Sequence, residues 1–117
     1  MNIRSGVRSV SGIPVIWTHG EVNSDAVPAI QKQVDELLAS GQKKIIIDVS
    51  KVIYVDTDGL GLMIDIHEKC VGADGNMTVV CTNNPKVYRN FKLLRLVERF
   101  GVHESIESAL VVLKTER

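Results

Sequence analysis

A hydroxyl and two carboxylates stand side by side near the middle of this chain, in the sequence Asp56-Thr57-Asp58-Gly59. The residues just before them, 52–55, are apolar and rich in β-branched and aromatic types, which is typical of a strand. A helical apolar periodicity begins just after them, and it predicts a helix from about Gly59 to Val71. Because a helix N-terminus carries unpaired N–H groups and a partial positive charge, the three polar residues either cap the helix or do chemistry there.

Two interpretations of these residues, a structural one and a catalytic one, do not involve regulation of the protein. Asp and Thr are both favoured helix caps, each worth about 1 kcal/mol, so a purely structural role is the simplest interpretation. Alternatively, a strand that ends in Asp-x-Asp-Gly resembles the nucleophile loop of haloacid-dehalogenase-type phosphatases, in which the first Asp attacks phosphate and the second acts as acid and base. That family also needs a later Lys and a later acidic pair on separate loops, and no acidic pair follows Asp58. The sequence therefore favours catalysis least.

A third interpretation is a phosphorylation switch at Thr57. Phosphate would add about −1.5 to −2 charges and three strong acceptors, which a helix N-terminus tolerates. The neighbouring Asp56 and Asp58 would repel that phosphate, and so would any protein packed on the site. Phosphorylation would then act mainly by breaking a contact between two proteins.

The helix after the site has an apolar face wider than core packing requires. One face contains the apolar residues Leu60, Met63, Ile64, Cys70 and Val71, with His67 as a packing residue among them. Leu62 and Ile66 fall toward the far edge. Either flanking helices cover this edge, or it is a docking surface for another protein. Gly61 would help docking, because a residue without a side chain lets a partner's backbone come close.

The rest of the chain alternates strand-like and helix-like segments. The apolar patterns predict strands at 7–10, 13–18, 45–49, 77–81 and 97–102. They predict helices from a cap at Ser24 or Asp25 to Ser40-Gly41, from Pro85 to about Leu94, and from Ile106 to Leu113. This order predicts one α/β domain over residues 1–117, with a mixed central sheet of about four to five strands and helices packed on it. Sites in such folds lie at the carboxyl ends of strands, where Asp56 falls.

Composition excludes several classes of function. The chain has 117 residues and no net charge, so it lacks the basic field on which nucleic-acid binding depends. Cys70 and Cys81 stand in apolar surroundings and are predicted to be buried thiols; neither they nor the histidines have metal-ligand spacing. No apolar segment is long enough to span a bilayer, and Met1–Gly6 lacks the apolar region of a secretion signal. We therefore expect a cytoplasmic protein without metal, cofactor or membrane insertion.

Several motifs in order resemble the STAS domain family, specifically the small anti-sigma-factor antagonists of bacterial partner-switching systems. Residues 20–23 (Gly-Glu-Val-Asn) match the family's Gly-Glu-Leu-Asp, and residues 47–52 resemble its Asp-Leu-Ser-x-Val run. Residues 55–61 resemble the signature Asp-Ser-Ser-Gly-Leu-Gly. Residues 85–91 and Ala109-Leu110 match the family's C-terminal spacing.

The resemblance implies a binding protein rather than an enzyme. In the family, the unphosphorylated antagonist binds an anti-sigma factor, often a serine/threonine kinase, and frees the sigma factor. The kinase phosphorylates the hydroxyl residue after the Asp, which is Thr57 here, and a PP2C-type phosphatase reverses this. The resemblance and the helix pattern together implicate the following residues in partner binding: Asn23, Asp56, Thr57, Asp58, Gly59, Gly61, Leu62 and Ile66.

Three positions depart from the family pattern. Thr57 replaces the usual Ser, Asp58 replaces a second hydroxyl residue, and Asn23 replaces an Asp. Asp58 places a negative charge where most members are neutral, so it partly imitates a phosphate. The Asp-Thr-x-Gly-Leu pattern also resembles the STAS-like subunit of bacterial lipid-transport ABC systems, which supports an ATPase without being phosphorylated.

Overall fold

A computed structural model describes residues 4–115 of the chain, so the ends of the predicted 1–117 domain, including Met1–Ile3, lie outside the described residues. The elements follow in the order β1 (Arg4–Val10), β2 (Ile13–Val22), α1 (Val27–Ala39), β3 (Lys44–Val55), α2 (Thr57–Gly72), β4 (Asn76–Val80), α3 (Pro85–Leu93), α4 (Leu96–Phe100), β5 (Val102–His103) and α5 (Ile106–Thr115). The predicted α/β class is confirmed.

The described strands form one mixed sheet of five strands in the order β1-β2-β3-β4-β5. β1 and β2 form an antiparallel hairpin, and each later pair is parallel. Since the strand order advances in one direction, right-handed crossovers place the connecting helices on the same face.

The sheet has two unequal apolar layers. α1 to α4 pack on one face, where the larger core cluster includes Ile30, Met63, Phe91 and Phe100. α5 covers part of the other face through Ala109 and Leu113, which pack against Val15, Ile46 and Val80. The aliphatic run in β3 therefore has core contacts on both faces, as its lack of alternation predicts.

β3 is longer than the predicted strand at 45–49. It continues to Val55 and pairs with β2 as far as Val22. The register between the two strands shifts twice, opposite Trp17–His19 and Gly20–Glu21 of β2, and β3 contains the extra residue each time. The strands β2 and β3 thus end together, which brings the turn after β2 beside the Asp56-Thr57-Asp58 segment.

The predicted strand at 97–102 is wrong. Arg95 adopts a left-handed backbone conformation with φ of 59°, which ends α3 and starts the short helix α4. Leu96 and Phe100, four residues apart, are both buried, so the segment has a helical rather than an alternating pattern. Only Val102 and His103 continue as a strand. Leu94, the predicted end of the third helix, follows α3 and is 56% exposed.

The predicted cap of the first helix is also wrong. Neither Ser24 nor Asp25 caps α1; its N-cap is Ala26, which makes no side-chain cap hydrogen bond. Asn23 organises this turn instead, because its backbone carbonyl accepts from the N–H groups of Ala26 at 2.9 Å and Val27 at 3.2 Å. A side-chain cap is not needed where the preceding turn satisfies these donors.

Candidate functional site

Asp56 caps α2. Its backbone is extended, with φ of −91° and ψ of −175°, and its Oδ1 accepts a hydrogen bond from the Gly59 N–H at 2.9 Å. Its carbonyl accepts from the Leu60 N–H, also at 2.9 Å. The structural interpretation from the sequence is therefore correct for Asp56, and it leaves the next two residues for other roles.

The first turn of α2 is held against the end of β2. The Asp56 N–H donates to the Val22 carbonyl at 3.2 Å. A Cβ on Gly59 would overlap the same Val22 oxygen and lie 2.9 Å from Cγ1 of Val55. Only glycine allows this approach, so Gly59 fixes the position of the helix start relative to the sheet.

Thr57 and Asp58 begin α2 and both side chains are exposed. Within residues 4–115, the Thr57 hydroxyl makes no hydrogen bond to another protein group, in contrast to Asp56. Thr57 therefore presents an accessible hydroxyl at a helix N-terminus, with a carboxylate on each side.

A groove of about 280 Å³ separates α1 from α2 beside Thr57. Its lining residues come from both helices and from the turn before α1: Ser24, Val27, Gln31, Thr57, Asp58, Gly61, Leu62 and Asp65. A Cβ on Gly61 would meet nothing within 4 Å, so this glycine leaves open space in the groove. We call this feature the α1–α2 groove.

The predicted docking edge at Leu62 and Ile66 is not an exposed surface. Both residues belong to the main core cluster and are 2% and 1% exposed, although Leu62 also reaches the bottom of the α1–α2 groove. Gly59 is buried as well, and its place against Val22 leaves no room for a partner. Flanking helices therefore cover the wide apolar face. Val71, expected in the core, is instead 49% exposed.

His67 packs as the sequence analysis expects. Its ring lies 5.6 Å from that of Phe100 on α4, centroid to centroid. At the next position, Glu68 forms an ion pair with Arg99 at 2.8 Å. Through these contacts α4, a helix that the apolar pattern did not predict, covers part of α2.

Asn23 lies in the turn between β2 and α1. Its Oδ1 accepts from the Asp25 N–H at 3.0 Å, and its Nδ2 donates to Oε1 of Glu21 at 3.4 Å. No direct hydrogen bond joins Asn23 to Asp56 or Thr57 within the described residues. The Asn23 side chain instead shapes the turn that contributes Ser24 to the groove.

Sequence reasoning missed four groove residues: Ser24, Val27, Gln31 and Asp65. A signal for two of them was present, because Val27 and Gln31 are four residues apart and so share one face of α1. Asp65 likewise follows Gly61 by four residues on the polar face of α2. The sequence does not show that these two helix faces lie next to each other, because that depends on how α1 packs beside α2.

The two cysteines are buried free thiols, as predicted. Burial raises the pKa of both Cys70 and Cys81 to about 11, with a further contribution from the Asp48 and Glu104 carboxylates at Cys81. Among residues 4–115, no three His, Cys, Asp or Glu side chains are placed to bind a metal ion together. Each helix in the same range is too short or too polar to cross a bilayer.

Comparison with known proteins identifies several relatives. An anti-sigma F factor antagonist of Paenibacillus polymyxa is 23% identical over 115 residues, which cover 97% of each chain. An anti-sigma factor antagonist from Mycobacterium paratuberculosis has a crystal structure that matches with a TM-score of 0.85 at 24% identity, over 96% of this chain and 94% of that one. The chain is thus similar to antagonists over nearly its full length.

The fold also matches the anti-sigma factor antagonist SpoIIAA. Its unphosphorylated form gives a TM-score of 0.71 at 19% identity, over 97% of this chain and 100% of that one. Its phosphorylated form gives a TM-score of 0.67 at 18% identity, over 92% of this chain and 96% of that one. At these identities the likeness shows the shared fold.

A family model decides the classification. The model of the STAS domain matches residues 6–109, which include the described strands apart from the first two residues of β1 and which end within α5. The resemblance found in the separate sequence motifs is therefore confirmed over most of the chain: this protein belongs to the STAS domain family.

Proposed function

We propose that this protein is an anti-sigma-factor antagonist that binds its anti-sigma factor through the α1–α2 groove and is released by phosphorylation at Thr57. The observation that carries the proposal is the exposed Thr57, whose hydroxyl has no hydrogen-bond partner within residues 4–115 and lies on the rim of the groove. The same role is supported by the similarity of the chain to anti-sigma factor antagonists and by the existence of a phosphorylated form of one of them, SpoIIAA.

The groove suits protein docking better than catalysis. Its lining contains no basic side chain, whereas a phosphatase site needs cations to hold the phosphate of its substrate. The Asp56 carboxylate, which would be the nucleophile, is engaged as the helix cap. The open space over Gly61 would accept a side chain or backbone segment of a partner. We therefore propose a binding role without enzymatic activity, exercised in the cytoplasm.

Phosphorylation would act by charge. Asp58 and Asp65 already contribute two carboxylates to the groove lining. A phosphate on Thr57 would add about −1.5 to −2 charges at the same rim, and it would compete with any partner group that approaches α2. The accessible helix N-terminus would tolerate the phosphate within the protein itself. The unphosphorylated form is thus the binding form.

The test uses the full chain and its cognate anti-sigma kinase. After incubation with ATP, mass spectrometry is expected to find phosphate on Thr57, and a PP2C-type phosphatase is expected to remove it. Calorimetry is expected to give tight binding for the unphosphorylated chain and much weaker binding after phosphorylation. Thr57→Val should abolish the modification, while Thr115→Val, which removes an exposed hydroxyl at the end of α5, should leave it unchanged.

Two outcomes would reject the proposal. Unmodified Thr57 together with no measurable binding to the anti-sigma factor would exclude the antagonist role. Co-purification with an ABC ATPase, with Thr57 unmodified, would instead support the alternative suggested by the Asp-Thr-x-Gly-Leu pattern, a STAS subunit of a lipid-transport system.

A further inference from the structure

α3 and the turn after it concentrate positive charge on a chain that has none overall. Residues 85–95 contain four basic side chains and no acidic one, while the whole chain has a net charge of zero. The basic residues are Lys86, Arg89, Lys92 and Arg95, and all four are exposed. Such a local excess creates an attractive field for acidic groups even on a neutral protein.

These four cations are not neutralised within the fold. None of them forms an ion pair with an acidic side chain among residues 4–115. The two ion pairs found among the described residues, Lys69–Asp35 at 3.1 Å and Arg99–Glu68 at 2.8 Å, lie on other elements. The charge of α3 therefore remains available to a partner.

Apolar side chains lie among the same cations. Val87 and Phe91 point into the core, and the outer side of the segment exposes Tyr88 at 36%, Leu93 at 72% and Leu94 at 56%. A single exposed leucine is ordinary. Three large apolar residues within seven positions, alternating with unpaired cations, form a mixed surface of the kind that binds acidic segments with apolar anchors.

This surface is concave. A cavity of about 820 Å³ is lined by Pro85, Tyr88, Arg89, Lys92, Leu93 and Arg95. A second cavity, of about 540 Å³, extends from Pro85 and Tyr88 toward Glu104 at the edge of the sheet. Pro85 and Tyr88 line both cavities, so the two lie side by side, and we call them together the α3 groove.

The start of the α3 groove is rigidly held. The Nδ2 atom of Asn84 donates to the carbonyls of Val49, Ser50 and Val52 at 3.3, 3.2 and 2.8 Å. These bonds tie the N-terminus of α3 to β3. A preformed groove loses little entropy when a ligand binds, so it is suited to recognition.

We propose that the α3 groove is a second docking site, which binds an acidic segment of a partner protein with leucine-like anchors. The charge of residues 85–95 selects acidic groups, and the cavities beside Tyr88 and Leu93 accept the apolar side chains. A concave path favours a peptide segment over a flat lipid surface. The site goes beyond the proposed antagonist function, because it shares no lining residue with the α1–α2 groove.

The test is a titration of the ¹⁵N-labelled full chain with a short peptide of Glu-Glu-Leu-Leu repeats. The amides of residues 85–95 are expected to shift and saturate, while the Thr57 amide stays in place. Fluorescence anisotropy with the labelled peptide should show that Arg89→Glu together with Lys92→Glu weakens binding about tenfold or more, since two ion pairs are lost and two repulsions appear. The melting temperature of each variant verifies that the fold persists.

A matched variant separates this site from general charge effects. Lys32→Glu together with Lys114→Glu makes the same change in net charge at exposed positions on α1 and α5, and it should leave the affinity within about twofold. A peptide of Glu-Glu-Ser-Ser repeats should bind more weakly than the leucine peptide. Equal losses in both double variants, or saturating shifts only at residues away from the lining of the two cavities of the α3 groove, would overturn the proposal. Binding to phosphatidylserine vesicles without binding to the peptide would overturn it in favour of a membrane surface. Failure here leaves the Thr57 tests unaffected, since they report on the other groove.

Discussion

Gly59 packs directly against the backbone of Val22, so that the helix bearing Thr57 and the strand that precedes the first helix meet without a side chain between them. The Asp56 N–H bonds the same Val22 carbonyl at 3.2 Å. Together these contacts set where Thr57 lies relative to α1, and hence the shape of the α1–α2 groove.

Substitution of Gly59 and of Gly61, both near the start of α2, should have opposite effects on the stability of the protein. Gly59→Ala forces a Cβ into the Val22 carbonyl and should destabilise the fold by about 1–3 kcal/mol, the usual cost of overpacking. Gly61→Ala meets open space within a helix and should stabilise it by about 0.5–1 kcal/mol. Urea unfolding measures both. Equal stability of the two variants would contradict the close approach of Gly59 to Val22.

Asp56→Ala should cost about 1 kcal/mol of stability, because the Gly59 N–H loses its acceptor at the helix start. Asp56→Asn retains an oxygen that can accept this hydrogen bond, so this variant should lose clearly less stability. Thermal unfolding of the two variants makes the comparison. A loss for Asn as large as that for Ala would mean that the carboxylate charge, rather than the cap geometry, stabilises α2.

Ile66→Ala should lower the free energy of unfolding by about 2–5 kcal/mol, since Ile66 is 1% exposed in the core. Asp65→Ala, one position earlier and exposed in the groove, should change stability by no more than about 0.5 kcal/mol. Chemical denaturation followed by circular dichroism distinguishes them. A mild effect of Ile66→Ala on folding with a large effect on partner binding would show that this buried edge takes part in docking.

Asp58→Asn should strengthen binding of the unphosphorylated chain to its anti-sigma factor several-fold, if negative charge at the groove rim opposes docking. The same variant should widen the difference between the two phosphorylation states, because less negative charge is present before the phosphate is added. Calorimetry on the phosphorylated and unphosphorylated forms of both proteins gives the affinity of the variant relative to the wild type and the ratio of affinities between the two forms. Weaker binding by the variant would show that Asp58 contacts the partner favourably.

Cys70 and Cys81 should react slowly with a thiol-specific reagent at pH 8 in the folded protein and rapidly in urea. Burial raises their pKa to about 11, so the thiolate fraction at pH 8 is very small. The raised pKa also favours the folded state fully below pH 9, and this contribution declines as the pH rises from 9 toward 11, because the unfolded chain ionises first. Absorbance with the reagent and unfolding curves across this range provide the measurements. Rapid labelling of the folded chain at pH 8 would contradict their burial.

Local patterns predicted the elements that surround the site. Alternation and aliphatic runs located the hairpin, the doubly covered strand and the helix after Asp56, since these features depend on neighbouring residues. They failed at 97–102, where the left-handed Arg95 restarts a helix, and at the start of α1, where the Asn23 carbonyl replaces a side-chain cap. Both are backbone choices that side-chain hydrophobicity does not encode.

The sequence by itself determined the fold class, the change from strand to helix around Asp56-Thr57-Asp58 and the STAS resemblance, because each is expressed by residues close together in the chain. Only the tertiary structure decided which side chains are available. Leu62 and Ile66 are covered, while Thr57, Asp58 and Asp65 face a groove, because the packing of α1 and α4 against α2 depends on contacts between residues far apart in sequence.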